Sequence, residues 1–332
     1  MSKSVLITDF IAAGDALEPE RKILGDVASV QTIDAHTNEE LIGRIEDADA
    51  IILYHLISMT APLIERLRHC KLIVRAGVGY DNVDCAAARA RGIQVANIPD
   101  YGTEEVADSA LGLLLALTRG VNLLNSRMRA QRGPWMYHLA KPLHRLRGRV
   151  LGIVGLGRIG TAMALRGKAL GMDVLFYDPY KPDGFDKALG VRRAESLGQL
   201  LGQSFAVSLH CPLTAETRGF IDAAAIARMP RGSYLINTAR GAVVNTAAIP
   251  DAIASGQLAG AGLDVLEIEP PPANDPLMRA WRDPEHPAHE KVIVTPHAAF
   301  YCEEGLMEIR VKSAEACRRA LLGQTLRNVV NE

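Results

Sequence analysis

Short apolar runs rich in β-branched residues recur along the chain, separated by stretches whose apolar residues fall at helical spacing. A first series comprises VLITDF from Val5, AIILY from Ala50, KLIVR from Lys71 and IQVAN from Ile93, with APLIERLRHC and DNVDCAAARARG among the intervening segments. A second series starts at Val150: VLGIVG, DVLFYD, FAVSLH, SYLINT, LAGAGLDV and KVIVTPH. Parallel strands covered on both faces read as such continuous apolar runs, so the pattern predicts two doubly wound α/β units. Between the series, TEEVADSALGLLLALTRG (103–120) opens on acids and closes on Arg119 and Gly120, which predicts one long helix joining the units. The stretch 269–290 carries six prolines among polar residues and reads as a loop. No internal repeat or low-complexity tract interrupts this order.

Composition narrows the classes. At 332 residues the chain exceeds the size at which one core stops growing, which fits two domains. With 37 basic against 38 acidic residues the net charge is −1, so no global field draws in nucleic acid or anionic lipid. Arginine clusters at Arg127, Arg129 and Arg132, and at Arg145, Arg147 and Arg149, are interspersed with apolar residues and read as solvated or interface positions. Five scattered cysteines have neither disulfide-framework nor zinc-site spacing, and the N-terminal residues lack the apolar centre of a signal peptide. A reducing, cytoplasmic setting is the expectation. The longest apolar stretch, ALGLLLAL at 110–117, is too short to span a bilayer and reads as a buried helix.

The chemistry starts at VLGIVGLGRIGTAMA. Gly155, Gly157 and Gly160 form a Gly-x-Gly-x-x-Gly turn between a strand and a helix, a pattern that by itself also serves as a tight structural turn. Context decides: Asp178, at the end of DVLFYD, follows Gly155 by 23 positions, where a Rossmann dinucleotide fold places the acid for the adenosine ribose hydroxyls. The helix N-terminus then faces the pyrophosphate. An acid here repels a ribose 2′-phosphate, which favours NAD over NADP.

Further along stand HCPLTAETRGFI from His210, LINTARGAVV from Leu235, GLDVLEIEP from Gly262 and VTPHAAF from Val294; RAGVGYDNVD from Arg75 precedes the turn. Together these motifs resemble the NAD-dependent D-2-hydroxyacid dehydrogenases over residues 50–320, leaning to the branch of C-terminal binding protein, a dehydrogenase-like corepressor. The resemblance implies two Rossmann/flavodoxin-like doubly wound domains with a cleft between them. It assigns 1–101 plus 300–332 to a substrate-binding domain and 102–299 to an NAD domain. It implies hydride transfer between NAD(H) and a small 2-keto or 2-hydroxy acid, with Arg240, Glu269 and His297 as the catalytic group. An imidazole suits the proton exchange because it titrates near neutral pH. A carboxylate on its other nitrogen orients it and favours its charged form. A guanidinium holds a carboxylate with fixed, forked donors. The resemblance further implies that Arg158 and Ile159 offer backbone groups to the pyrophosphate, that His210, Cys211 and Pro212 border the adenosine, and that Thr238 and Asp264 lie near the nicotinamide. Thr217 and Ala239 complete the cofactor set. Arg75, Val78, Gly79 and Phe300 join Arg240 around the substrate, and a homodimer built on the NAD domain is implied.

Taken singly, each member of the triad reads more readily as an ordinary structural or surface residue than as a catalytic one; their common position past strands of the second series, together with the family resemblance, sets them apart. Glu269 and His297 stand 28 positions apart across the proline-rich stretch, a longer interval than the family pattern, and Glu267 is the competing acid. Phe300 replaces the tryptophan of the corepressor branch, leaving more room and no N–H donor. A different class stays open: an NAD(H)-responsive dimeric binding platform in which the nucleotide shifts an equilibrium that partners read. A formate-type dehydrogenase is disfavoured because Glu, not Gln, pairs with the histidine, and an L-lactate-type enzyme because a whole α/β region precedes the glycine turn.

Overall fold

The computed structural model describes residues 3–331. The chain forms two compact units, one taking in the chain up to Gly102 and again from Tyr301 onward, the other spanning Thr103–Phe300. Each seam falls one residue beyond the position read from the sequence.

In the first unit, β1 (Lys3–Ile7), β2 (Ala28–Thr32), β3 (Ala50–Leu53), β4 (Leu72–Arg75) and β5 (Gln94–Asn97) form an all-parallel sheet in the order β2-β1-β3-β4-β5. β3 and β4 are buried throughout, which is why they read as apolar runs. β2 was not expected: its Ser29 and Gln31 face solvent on an edge strand and dilute the signal. The helix Glu303–Leu321 returns to this unit. Its Arg310 grips the almost wholly buried Glu20 through Nε to Oε1 at 2.6 Å and Nη2 to Oε2 at 2.8 Å, with Asp15 on the same guanidinium. That bidentate pair fastens the C-terminal helix to the helix Glu18–Leu24.

The second unit holds β6 (Val150–Val154), β7 (Asp173–Tyr177), β8 (Arg192–Arg193), β9 (Ala206–Leu209), β10 (Ser233–Asn237), β11 (Leu258–Leu263) and β12 (Val292–Val294), parallel and ordered β12-β11-β10-β9-β6-β7-β8. Sequence direction reverses between β6 and β9, which makes that crevice the topological switch point of a Rossmann sheet. Alternate residues feed two cores: Leu151, Ile153, Val174 and Phe176 enter one, while Val154, Leu175, Val207 and Leu235 enter the other.

Two expectations change. The stretch 103–120 is one helix only over Thr103–Thr118, and it lies wholly within the second unit rather than joining the two; Gly120, at φ 64°, turns the chain by 66° into a second helix, Val121–Arg129. The first of these buries Val106, Ala107, Ala110, Leu113, Leu114 and Leu117, the helical stripe that the apolar run foretold. Among the described residues no single helix is long and apolar enough to cross a membrane. Nor is 269–290 all loop. Asp275 caps the helix Pro276–Arg282 by accepting from the Met278 amide at 2.8 Å, Leu277 and Met278 are buried, and Ala288–Lys291 forms a further turn of helix. Proline at the first helical position initiates a helix as readily as proline elsewhere ends one, and the sequence reading took Pro276 in the second sense.

Candidate active site

The chain ends of the second sheet gather the candidate residues. The glycine turn follows β6, Asp178 follows β7, His210 and Cys211 follow β9, Thr238 to Arg240 follow β10, Asp264 follows β11 and His297 follows β12. All leave the carboxyl edge, where open α/β sheets hold ligands.

At the turn each glycine answers a different demand. A Cβ on Gly155 would stand 2.7 Å from the Cys211 amide nitrogen, and one on Gly160 would stand 2.0 Å from the Gly155 carbonyl oxygen. A Cβ on Gly157 would meet nothing within 4 Å; it would project into an open cradle at the start of the helix Arg158–Ala169, whose N-cap has no side-chain partner. Asp178 closes this cradle: Oδ2 accepts from the Leu156 amide at 2.9 Å and Oδ1 from the Tyr180 amide at 3.0 Å. His210 Nε2 lies 2.8 Å from Ser208 Oγ, its Nδ1 is buried without a partner, and burial pushes the imidazole down to about 4, so it is neutral. Cys211 is pushed up to about 12, chiefly by burial, and is an inert thiol. Thr217 Oγ1 donates to the Pro212 carbonyl at 2.7 Å and accepts from the Thr214 amide at 2.8 Å, which fixes the loop after β9.

The second cluster lies past β10, β11 and β12. Asn237, fully buried, receives the Ala239 amide on Oδ1 at 3.0 Å and donates Nδ2 to the Arg240 carbonyl at 2.9 Å, shaping the turn that carries Arg240. The next residue has to be glycine, because a Cβ on Gly241 would lie 1.9 Å from the Leu266 carbonyl group; this contact brings the Arg240 loop against the loop holding Glu269. Glu269 Oε1 accepts from the Leu266 amide at 2.8 Å, and Oε2 lies 2.6 Å from His297 Nδ1. Burial raises the Glu269 carboxyl, but the His297 hydrogen bond and charge, the Leu266 amide and the Arg240 guanidinium together outweigh it and hold the group below its ordinary value. Glu267 is spoken for elsewhere, accepting from the Thr246 amide at 3.0 Å, so the competition between the two acids resolves on Glu269. Phe300 stands edge-on to the His297 ring, centroids 6.3 Å apart.

His297 itself sits at φ 52°, a conformation most residues avoid, so its surroundings must impose it. Asp264 does so. Its carbonyl accepts from the His297 amide at 2.7 Å; its carboxylate, 2% exposed with its residue, accepts from Thr295 Oγ1 at 2.6 Å and from the Ala298 and Ala299 amides at 2.9 Å each. The Asp264 carboxylate, expected near the nicotinamide, is thus spent on the histidine turn.

In the first unit, Arg75 ends β4 and is buried: Nη1 donates to the Ala76 carbonyl at 3.1 Å and Nε to Asn82 Oδ1 at 3.4 Å, beneath the Gly77 turn. Val78 and Gly79 follow on that turn, partly exposed, and Asn97 Nδ2 donates to the Val78 carbonyl at 2.7 Å. Sequence reasoning missed Asn237 and Ser208. Their signal was a polar residue inside an otherwise apolar strand, buried and hydrogen-bonded to the loop that follows.

Residues 111–299 match the family described as D-isomer specific 2-hydroxyacid dehydrogenase, NAD binding domain, which is more than half of the chain. The chain belongs to this family. It is 36% identical over 327 residues to D-3-phosphoglycerate dehydrogenase of Methanocaldococcus jannaschii, covering 98% of this chain and 59% of that relative. It is 34% identical to C-terminal-binding protein 1 of Caenorhabditis elegans, covering 94% of this chain and 43% of the relative. The chain therefore spans about half the length of these curated relatives. Among solved structures, D-lactate dehydrogenase from Aquifex aeolicus, complexed with NAD and lactic acid, superimposes with a TM-score of 0.84 at 29% identity, covering 96% of each chain.

For this dehydrogenase family member the cofactor is NAD, and the residues present fit it. The open space at Gly157 and the helix start with no side-chain cap suit an anionic pyrophosphate, and the buried Thr238 Oγ1 has no partner within the protein.

Proposed function

We propose that this protein interconverts a small 2-keto acid and the corresponding D-2-hydroxy acid with NAD(H). The observation that supports this most directly is the 2.6 Å contact between Glu269 and His297 on the same sheet edge as the glycine cradle, with the Arg240 guanidinium acting on the same carboxylate.

Bound NADH supplies the hydride in reduction, and bound NAD accepts it in oxidation. Gly157 and the amides at the start of the Arg158–Ala169 helix hold the pyrophosphate; Asp178 holds the adenosine ribose hydroxyls. Arg240 holds the substrate carboxylate and polarises its carbonyl with fixed positive charge. His297, with Nδ1 committed to Glu269, gives a proton from Nε2 to the carbonyl oxygen in reduction and takes it back in oxidation. Glu269 stabilises the charged ring. Within the first unit by itself, the Val78 and Gly79 amides offer donors to an anion and Arg75 adds positive charge beneath their turn. Phe300 packs on the imidazole and bounds the substrate side chain. The working assembly is a homodimer in the cytoplasm.

The intact Arg240–Glu269–His297 set favours catalysis over the binding-platform reading, although one relative is a C-terminal-binding protein. Following NADH oxidation with a panel of 2-keto acids separates the two. Turnover with at least one acid is expected, and His297→Gln is expected to cut kcat by about 10²-fold or more with NADH affinity unchanged. Background rates with every acid, or full activity in the variant, would refute the assignment.

A further inference from the structure

The loops after β7 and β9 are tied together at their tips. Tyr180, 76% exposed and two residues past Asp178, donates its hydroxyl to Glu216 Oε2 at 2.5 Å. The tyrosine hydroxyl is pushed up first by that hydrogen bond and by the Glu216 charge, with Asp178 adding to the rise, so it stays a donor and both carboxylates act on it. The Tyr180 amide donates to Asp178 Oδ1, which makes one chain of contacts from the ribose acid through Tyr180 to Glu216. Two basic side chains of the neighbouring stretch are engaged elsewhere: Arg193 donates to the Lys181 and Pro182 carbonyls, and the Lys181 ammonium lies 4.9 Å from the Phe185 ring centroid. These two loops flank the glycine turn, so the adenosine end of a dinucleotide lies beside both.

We propose that Glu216, presented by Tyr180, is a second selectivity carboxylate beside Asp178 and turns away a dinucleotide phosphorylated on its adenosine ribose. One acid can be sidestepped by a small swing of the ribose. Two acids on separate loops, bridged by a phenol, set two negative charges against a phosphate dianion, whereas ribose hydroxyls find acceptors on both. The inference rests on the reading of Asp178 as the ribose acid, and it assigns Tyr180 as a positioning residue rather than a charge reader.

Direct titration of the full-length protein with NADH and with NADPH tests this without requiring turnover. Glu216→Gln is expected to narrow the ratio of NADPH to NADH dissociation constants by about fivefold, through tighter NADPH binding. Tyr180→Phe, which keeps the ring and releases the carboxylate, is expected to narrow it less. Added salt should narrow the ratio in the wild-type protein more than in Glu216→Gln, because only the former has the extra charge to screen. If Glu216→Gln moves both dinucleotides in parallel, leaving the ratio within about twofold of wild type, Glu216 merely braces the loop and the proposal is overturned. Wild-type protein that binds neither dinucleotide would overturn the adenosine site itself, a separate failure that the same titration reveals.

Discussion

At Glu269, burial alone favours the protonated carboxyl, yet the His297 ring, the Leu266 amide and Arg240 hold it ionised below its ordinary range. The sign of the linkage follows. Because the folded value is depressed, the stabilisation is fully present above the unfolded carboxyl value and is lost as pH falls through the folded one. The side chain is about one-third exposed, so solvent screens the pair and its value lies in protonation control more than in stability. In Glu269→Gln the ring keeps a neutral partner but loses the ionised one, so kcat/KM for keto-acid reduction at neutral pH is expected to fall by about tenfold, and the small loss of stability on acidification that the depressed carboxyl causes should be seen in the wild type only. A variant that keeps the wild-type kcat/KM would show that the ionised carboxylate contributes nothing to the proton transfer.

At the scale of elements, β11 and β12 meet in one turn, and Asp264 is its post. Asp264→Ala strands the Thr295 hydroxyl and two amides and lets His297 leave its left-handed conformation. A fall in kcat of about 10²-fold is expected, with a loss of about 3 kcal/mol in unfolding free energy and NADH affinity largely retained. Should NADH binding weaken in step with kcat, Asp264 would be a cofactor ligand after all. Thr295→Val, which deletes a single hydrogen bond, should show a smaller effect of the same kind. The sequence placed Asp264 correctly at the strand end but could not say which way its carboxylate turns, because a strand-end acid beside a nucleotide and one that ties the next loop leave the same residue pattern. Glycines were more legible: the Gly155–Gly160 spacing marks a tight strand-to-helix turn, and Gly155 and Gly160 stand where a Cβ would collide with backbone. Gly241 gave no such notice, as its partner at Leu266 lies on another strand's loop. Apolar runs located the central strands because both faces of each are buried, whereas the edge strand Ala28–Thr32 and the two-residue β8 carry too few buried positions to register.

For the whole molecule, the proposed homodimer turns on the chain that follows the Thr103–Thr118 helix. The helix Val121–Arg129 buries none of its residues, and beyond it Trp135 is 86% and Tyr137 72% exposed, with Met136 between them about half exposed. Large apolar side chains side by side in water are costly for a monomer and mark a surface that another protein covers. A segment of one chain that docks on the NAD unit of its copy would bury them by an isologous contact, in which each partner offers and receives the same arm. Sedimentation of the wild-type protein at micromolar concentration is expected to report the mass of two chains. Trp135→Glu, which places a charge in the exposed cluster, should shift the equilibrium to monomer while the NAD unit still binds NADH, because its glycine cradle and Asp178 lie at the ends of strands β6 and β7. A wild-type monomer at these concentrations would refute the dimer. A dimer unaffected by Trp135→Glu would move the contact to another face and leave the exposed tryptophan to a different partner.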